Sequence, residues 1–257
     1  MKRRTTIWAL GLAIAALASA AQAQLPRLRN VGVFALLGDS VQVAWSTDAP
    51  SDTRLERTAR ESLEFKGIDF DLIALRTARD AIQRAQPAAK VMAFRSPEAL
   101  TVAQQRQIAD GALKAELPGW MVNTLSDSRL THLLVITRSR GAIDARTGDG
   151  VGIGRGSVEG IGFYIDTLYT IRNSKTGALS SGLLAPYLQL RLTLMDAQSG
   201  DILATYDVRD GYAYGNEESQ AAADPWNFMP AAEKVLRLRK LLEEGVARGM
   251  GQLLGPR

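Results

Sequence analysis

The 257-residue sequence contains no cysteine and a single histidine. Without cysteine there are no disulfides, thiolate metal sites or thiol nucleophiles, and no residue to carry a lipoprotein anchor. One histidine also excludes metal sets and catalytic arrangements that need several imidazoles. Beyond the extreme N-terminus, no stretch of about 20 apolar residues exists, so the remainder offers no spanning helix. What is present is ordinary: 46% hydrophobic and 23% charged residues, a balance that excludes wholesale disorder and collagen-like repetition.

The N-terminus reads as an export signal. Lys2, Arg3 and Arg4 are followed by the apolar stretch of twelve from Ile7 to Ala18 and by the small-x-small site Ala21-Gln22-Ala23. Residues 1–23 are therefore expected to be removed before Gln24. Thr5-Thr6 stand where a twin-arginine signal prefers apolar residues, which favours the general secretory route. Of the 31 Lys+Arg and 27 Asp+Glu residues, the signal holds three basic and no acidic ones. The mature chain is left with 28 against 27, or +1, too little for a nucleic-acid binder. The expected location is periplasmic or secreted, with no membrane span after cleavage.

Residues 24–257 lack an internal linker or repeat and read as one α+β domain. The expected sheet is mixed and mostly antiparallel, with a C-terminal meander covered by helices. Asn30 to Leu37 and Val41 to Trp45 are strand-like, and Gly38-Asp39 between them predicts a hairpin turn. Ser46 to Arg60 is polar and reads as a loop. Asp71 is placed to cap a helix ending at Gln86, with Leu72, Leu75, Ala78 and Ile82 on one face, and Pro87 stops it. Lys90 to Phe94 is a short strand; helices are expected over Pro97 to Leu117 and Trp120 to Ser126. Leu130 to Thr137 has the pattern of a strand buried on both faces. Ile161 to Ile171, Tyr187 to Asp196 and Ile202 to Asp210 alternate as a meander, with Gln189, Arg191 and Thr193 on a wet face. In the first of these, Ile161, Phe163, Ile165, Tyr169 and Ile171 share a side. A final helix beginning at Pro230 places Val235, Leu238, Leu242 and Val246 on its apolar face, turned to the sheet.

Candidate chemistry is sparse. Gly38-Asp39-Ser40 after an apolar strand looks like the first block of the GDSL/SGNH hydrolases, whose serine needs a histidine near the chain end. Here His132 is mid-chain, and the Gly-x-Asn-Asp block is missing. Seven glycines between Gly148 and Gly162 never meet the Gly-x-Gly-x-x-Gly spacing of a dinucleotide loop. They read as a hairpin tip or bulged strand, with Arg155 as the charge partner for any ligand approaching that bare backbone. No serine has the Ser-x-x-Lys spacing. Asp69-Phe70-Asp71 suits a helix cap rather than a calcium loop, and His132 suits a hydrogen-bonded strand end. A hydrolase using Ser40 or paired carboxylates stays open as the alternative, since sequence cannot measure carboxylate separations. No catalytic or metal-ligating set emerges and no cofactor is indicated. Aromatic residues supply the remaining signal: Tyr212 and Tyr214 between Gly211 and Gly215, and Trp226 before the last helix, are the candidate partner-binding residues.

The segment Tyr187 to Tyr206, with its strand, Asp-x-x-x-Gly turn and strand, resembles a hairpin of small envelope domains. Similar hairpins occur in the curli-secretion channel subunit, lipoprotein activators of penicillin-binding proteins and the amino-terminal domain of TolB. The whole chain also resembles uncharacterised secreted proteins of Gram-negative bacteria, with an early strand ending in Gly-Asp and a late Pro-Trp. The resemblance implies a non-catalytic binding or accessory protein of the envelope, with a protein or glycan partner, and carries over no catalytic residues. The mature protein is expected to begin at Gln24 and to be released by osmotic shock without detergent. Intact-mass analysis of the released fraction checks this, and retention of Met1 in the membrane pellet would refute it.

Overall fold

A computed structural model describes residues 27–46, 58–65, 67–95, 104–105, 128–148, 150–172, 177, 179–215 and 224–255. The expected signal and the two helices placed over Pro97 to Leu117 and Trp120 to Ser126 lie outside these residues, Gln104 and Gln105 excepted.

β1 (Asn30–Leu36) is buried at every position after Asn30, which explains its lack of alternation. It is flanked in parallel by β4 (Lys90–Arg95) and β5 (His132–Arg138), pairing Val31 with Val91 and with His132. β5 is likewise buried on both faces. β2 (Ser40–Ser46) follows β1 after three residues, yet the two strands do not pair. Instead β2 lies antiparallel to β3 (Thr58–Glu64) and parallel to β9 (Ser157–Arg172). Gly38-Asp39 is therefore a corner and not a hairpin turn; Gly38, with φ +68, lets the chain leave one part of the sheet for another. The predicted loop from Ser46 to Arg60 is corrected as well, because Ser46 closes β2 and residues from Thr58 form the polar edge strand β3.

β10 (Leu179–Asp196) is the long strand that both parts of the sheet share. Its first portion, through Gln189, pairs with β9, and its last, from Leu190, pairs with β5; β11 (Ile202–Gly211) runs along the opposite edge from Tyr187 to Met195. The strand order is β3-β2-β9-β10-β5-β1-β4, with β11 on β10 and the short β6 (Arg140–Ala142) on β9. The expected meander is thus present. Its wet face is only partly so: Gln189 and Thr193 are buried at 1% and 0% exposure, while Arg191 between them stays partly exposed and pairs with Asp207 of β11 at 2.8 Å. A bulge also interrupts the first strand: Leu183 faces Asp166 but Ser181 faces Thr170. The buried Asp166 accepts from the backbone N–H of Leu168 (3.0 Å) and Tyr169 (3.2 Å), stabilising the bulge. Tyr169 consequently turns away from Ile161, Phe163 and Ile165 and packs on the other side.

Among the described residues, two α-helices cover one face of the sheet. α1 (Phe70–Ala85) is capped by Asp69, which accepts from Leu72 N–H at 2.9 Å, so the cap lies two residues before the expected one. It buries Phe70, Ala74, Leu75, Ala78 and Ile82. α2 (Ala231–Leu254) buries Leu238, Leu242 and Val246 against β10 and β11 and contacts α1. Gly245 and Gly249 bring α2 close to the sheet, where a Cβ would meet Leu188 and Val208. On the opposite face, the small hairpin of β7 (Ala145–Arg146) and β8 (Gly152–Ile153) contributes Ala145 and Ile153 to a second cluster with Tyr164, Leu183 and Tyr187. The glycine-rich segment supplies this hairpin and the start of β9.

Where β1 and β2 part, the side chain of Arg138 fills the junction. Its Nε donates to Leu37 C=O and its Nη2 to Ser40 C=O, both at 2.6 Å. Gly160, at φ +68, leaves room for the aliphatic stem. Asp71 closes the same corner from α1 by accepting Leu37 N–H at 2.6 Å.

Two outcomes are expected. Leu242→Ala should lower the unfolding free energy in denaturant by about 2–5 kcal/mol, because a cavity replaces a fully buried side chain. Burial raises the Asp71 carboxyl to about 6, against the opposing bond from Leu37 N–H. The folded state therefore holds this proton more tightly than the unfolded chain, where aspartate titrates near 3.9. Stability from the group is full below about pH 4 and lost as pH rises through about 6. Asp71→Asn keeps an acceptor for Leu37 and removes the titration. Between pH 4 and 7 it should gain on the parent by on the order of 1–3 kcal/mol, measured by urea unfolding at each pH.

Candidate binding groove

Past Gly211 the chain stays in line with β11 for three more residues. Tyr212 N–H donates to Pro186 C=O at 3.3 Å, and Tyr214 exchanges backbone bonds with Leu184 at 2.8 and 3.0 Å. The outer side of this stretch is also taken, because Ala213 N–H donates to Arg146 C=O of β7 at 2.9 Å. The sheet edge beside the tyrosines is thus closed by β7. Tyr212 and Tyr214, two residues apart, share one face. That face looks towards α2.

Between them and α2 lies a groove of about 370 Å³. Pro186, Tyr212, Tyr214 and Leu241 form its apolar surface, and Arg237, Lys240 and Glu244 project from α2 along its rim. Tyr212 is 41% exposed. Tyr214 is half-buried against the core, with the Arg237 guanidinium 5.0 Å from its ring centre, a cation–π distance. Burial pushes its hydroxyl above the usual tyrosine range, which keeps it protonated and able to donate. Arg237 also donates to Glu233 at 2.9 Å, and Lys240 lies 3.7 Å from Glu244. Both ion pairs are well exposed and loosely held.

Trp226 does not line this groove. It sits in the single-turn 3-10 helix Pro225–Phe228, where Asp224 accepts its backbone N–H at 3.0 Å. Its ring meets Phe163 edge-on at 5.4 Å and carries the Lys234 ammonium 4.1 Å above its centre. Lys234 in turn donates to Met229 C=O at 2.7 Å. These contacts fasten the start of α2 to β9 and so set the height of the groove rim. Arg155 is exposed on the connection from β8 to β9, its backbone N–H donating to the Tyr164 hydroxyl at 3.0 Å. The structure does not bring it to the groove.

The Ser40–His132 pair is not assembled. Ser40 lies by Arg138, at the C-terminal end of β5, while His132 begins that strand. Six residues of strand separate the two ends by about 20 Å. His132 instead meets Thr131 Oγ1 at 2.8 Å, and burial lowers its pKa despite the nearby Asp196. The acids at the start of α1 have structural partners: Asp69 caps the helix and binds Arg95 at 2.7 Å, and Asp71 holds Leu37. Among the described residues, no three metal-ligating side chains come together. No helix among them is long and apolar enough to cross a membrane.

The structure brings Tyr212 and Tyr214 to one groove together with Pro186, Arg237, Lys240 and Glu244, none of which stands out in the sequence as a candidate. The only signal for the three α2 residues was their polar spacing on that helix. Which tyrosine they would meet depended on the packing of α2 over β10 and β11.

No family model matches the chain, and no curated protein matches it. Among solved structures, it has 9% identity with a neuraminyllactose-binding hemagglutinin homolog from Helicobacter pylori, covering 90% of this chain and 88% of that one, at a TM-score of 0.38. A PelC dodecamer from Paraburkholderia phytofirmans gives 11% identity, 91% and 93% coverage and a TM-score of 0.30. A DUF330 protein from Xanthomonas campestris gives 8% identity, 90% and 84% coverage and 0.29. These are bacterial proteins of weak overall similarity, and with every score below 0.5 they decide neither fold nor function.

Proposed function

We propose that this chain is a non-catalytic binding or accessory protein of the Gram-negative cell envelope. In this reading it is exported to the periplasm as the single domain Gln24 to Arg257 and uses the groove at Tyr212 and Tyr214 as its ligand site. The groove carries the reading: a concave, partly aromatic surface with a few convergent polar groups is the form small binding sites take. The ordered export signal supports the location. The distance between Ser40 and His132 weighs against the hydrolase alternative, as do the structural bonds of Asp69 and Asp71. Trp226 enters as the residue that fixes α2, and Arg155 as a separate exposed cation.

A photo-crosslinking residue placed at Tyr212 in a Gram-negative host should give a discrete envelope adduct. The same residue at Leu179, which is 58% exposed on the β9–β10 hairpin, should give none. Equal labelling at both positions would refute the site. Ester, amide or glycan hydrolysis by the purified protein, abolished by Ser40→Ala, would refute the non-catalytic reading.

A further inference from the structure

The chemistry of the groove narrows what it holds. Its apolar surface, from Pro186, Tyr212 and Leu241, offers a place for a flat apolar face. The rim is mixed in sign and already neutralised: Arg237 is held by Glu233, and Lys240 stands by Glu244. An anionic or cationic ligand would displace an existing pair and gain little net attraction. A wholly apolar ligand would cover Lys240 and Glu244 without bonding them, at a desolvation cost. An extended peptide adding to the sheet is disfavoured for a separate reason. The backbone beside Tyr212 and Tyr214 is already paired on one side with β10 and on the other with β7.

One ligand chemistry satisfies every side of this site. A neutral pyranose presents C–H faces to an aromatic ring and a girdle of hydroxyls that both donate and accept. Lys240 and Arg237 supply donors, Glu244 supplies an acceptor, and the Tyr212 hydroxyl supplies either. The volume of about 370 Å³ lies at the small end of ligand pockets and suits a short glycan segment. We propose that the groove between α2 and the Tyr212–Tyr214 segment binds a neutral sugar ring of an envelope glycan. This rests on the reading of the groove as the ligand site.

The probe is a soluble trisaccharide of N-acetylglucosamine at millimolar concentration, observed by saturation-transfer NMR and calorimetric titration against the full mature chain. Binding should weaken about tenfold or more in Tyr212→Ala and in Glu244→Ala, and survive in Tyr212→Phe, which keeps the ring. Because the ligand is uncharged, raising the salt concentration should leave its affinity nearly unchanged. Circular dichroism melting of each variant separates loss of binding from loss of fold. No saturation transfer to the sugar overturns the proposal, as does transfer undiminished by Tyr212→Ala in a folded variant. Binding that high salt abolishes, or that only an acidic sugar shows, overturns it too. A protein adduct at Tyr212 in the crosslinking experiment, with the trisaccharide silent, would reject the sugar while leaving the groove a binding site.

Discussion

The architecture depends on one partly buried guanidinium. A sheet that divides between β1 and β2 leaves backbone carbonyls at the fork that no neighbouring strand can satisfy, and buried carbonyls without partners are costly. Arg138 resolves this with two of its donors, one on Leu37 and one on Ser40, while its own backbone N–H bonds Gln105 Oε1 at 3.3 Å. A lysine ammonium concentrates its donors at a point, whereas the planar fork of arginine spans two acceptors at once. Burial lowers the Arg138 pKa, and the acids around it, Asp71, Glu159 and Asp39, offset part of the cost of holding the charge. With the fork held open, β2 reaches β9, β10 serves both parts of the sheet, and β11 ends where α2 can overhang it.

Elements with a strong period were legible in the sequence. β5, β10 from Tyr187 onward, β11 and the buried face of α2 follow from runs or alternations of apolar residues that tertiary context did not override. The failures have separate causes. Gly38-Asp39 carries turn chemistry that serves a corner as well as a hairpin, and only the position of Arg138 distinguishes them. β3 is polar because it is an edge strand, so it lacks the periodicity that would reveal it. Asp69 and Asp71 are equally good caps by type; the tertiary demand of Leu37 N–H decided which stayed with the helix. Gln189 and Thr193 read as solvent-facing, yet both are buried, and only Arg191 between them keeps part of its side chain in solvent.

The groove was half legible. Two tyrosines between glycines mark an aromatic patch in the sequence, but the candidate groove is also lined by Pro186 from β10 and the α2 face from Arg237 to Glu244. These three segments are distant in sequence and meet only through the packing of α2 on the meander. The same packing explains why Trp226, chemically as attractive as the tyrosines, belongs to the scaffold: Phe163 and Lys234 occupy both its edge and its face.

The place of β1 between β4 and β5 sets a timetable for folding. The most buried early strand finds its neighbour β4 about 60 residues later and its other neighbour β5 about 100 residues later. Such non-local parallel pairings close slowly, because loop entropy is spent before any contact repays it. At ordinary synthesis rates, about 5–20 s pass between the emergence of Val31 and that of His132. Throughout that interval Val31 to Leu37 is an apolar, β-prone segment without a partner, the kind that pairs wrongly with other chains. A chain built this way gains from being held unfolded until all of it has arrived.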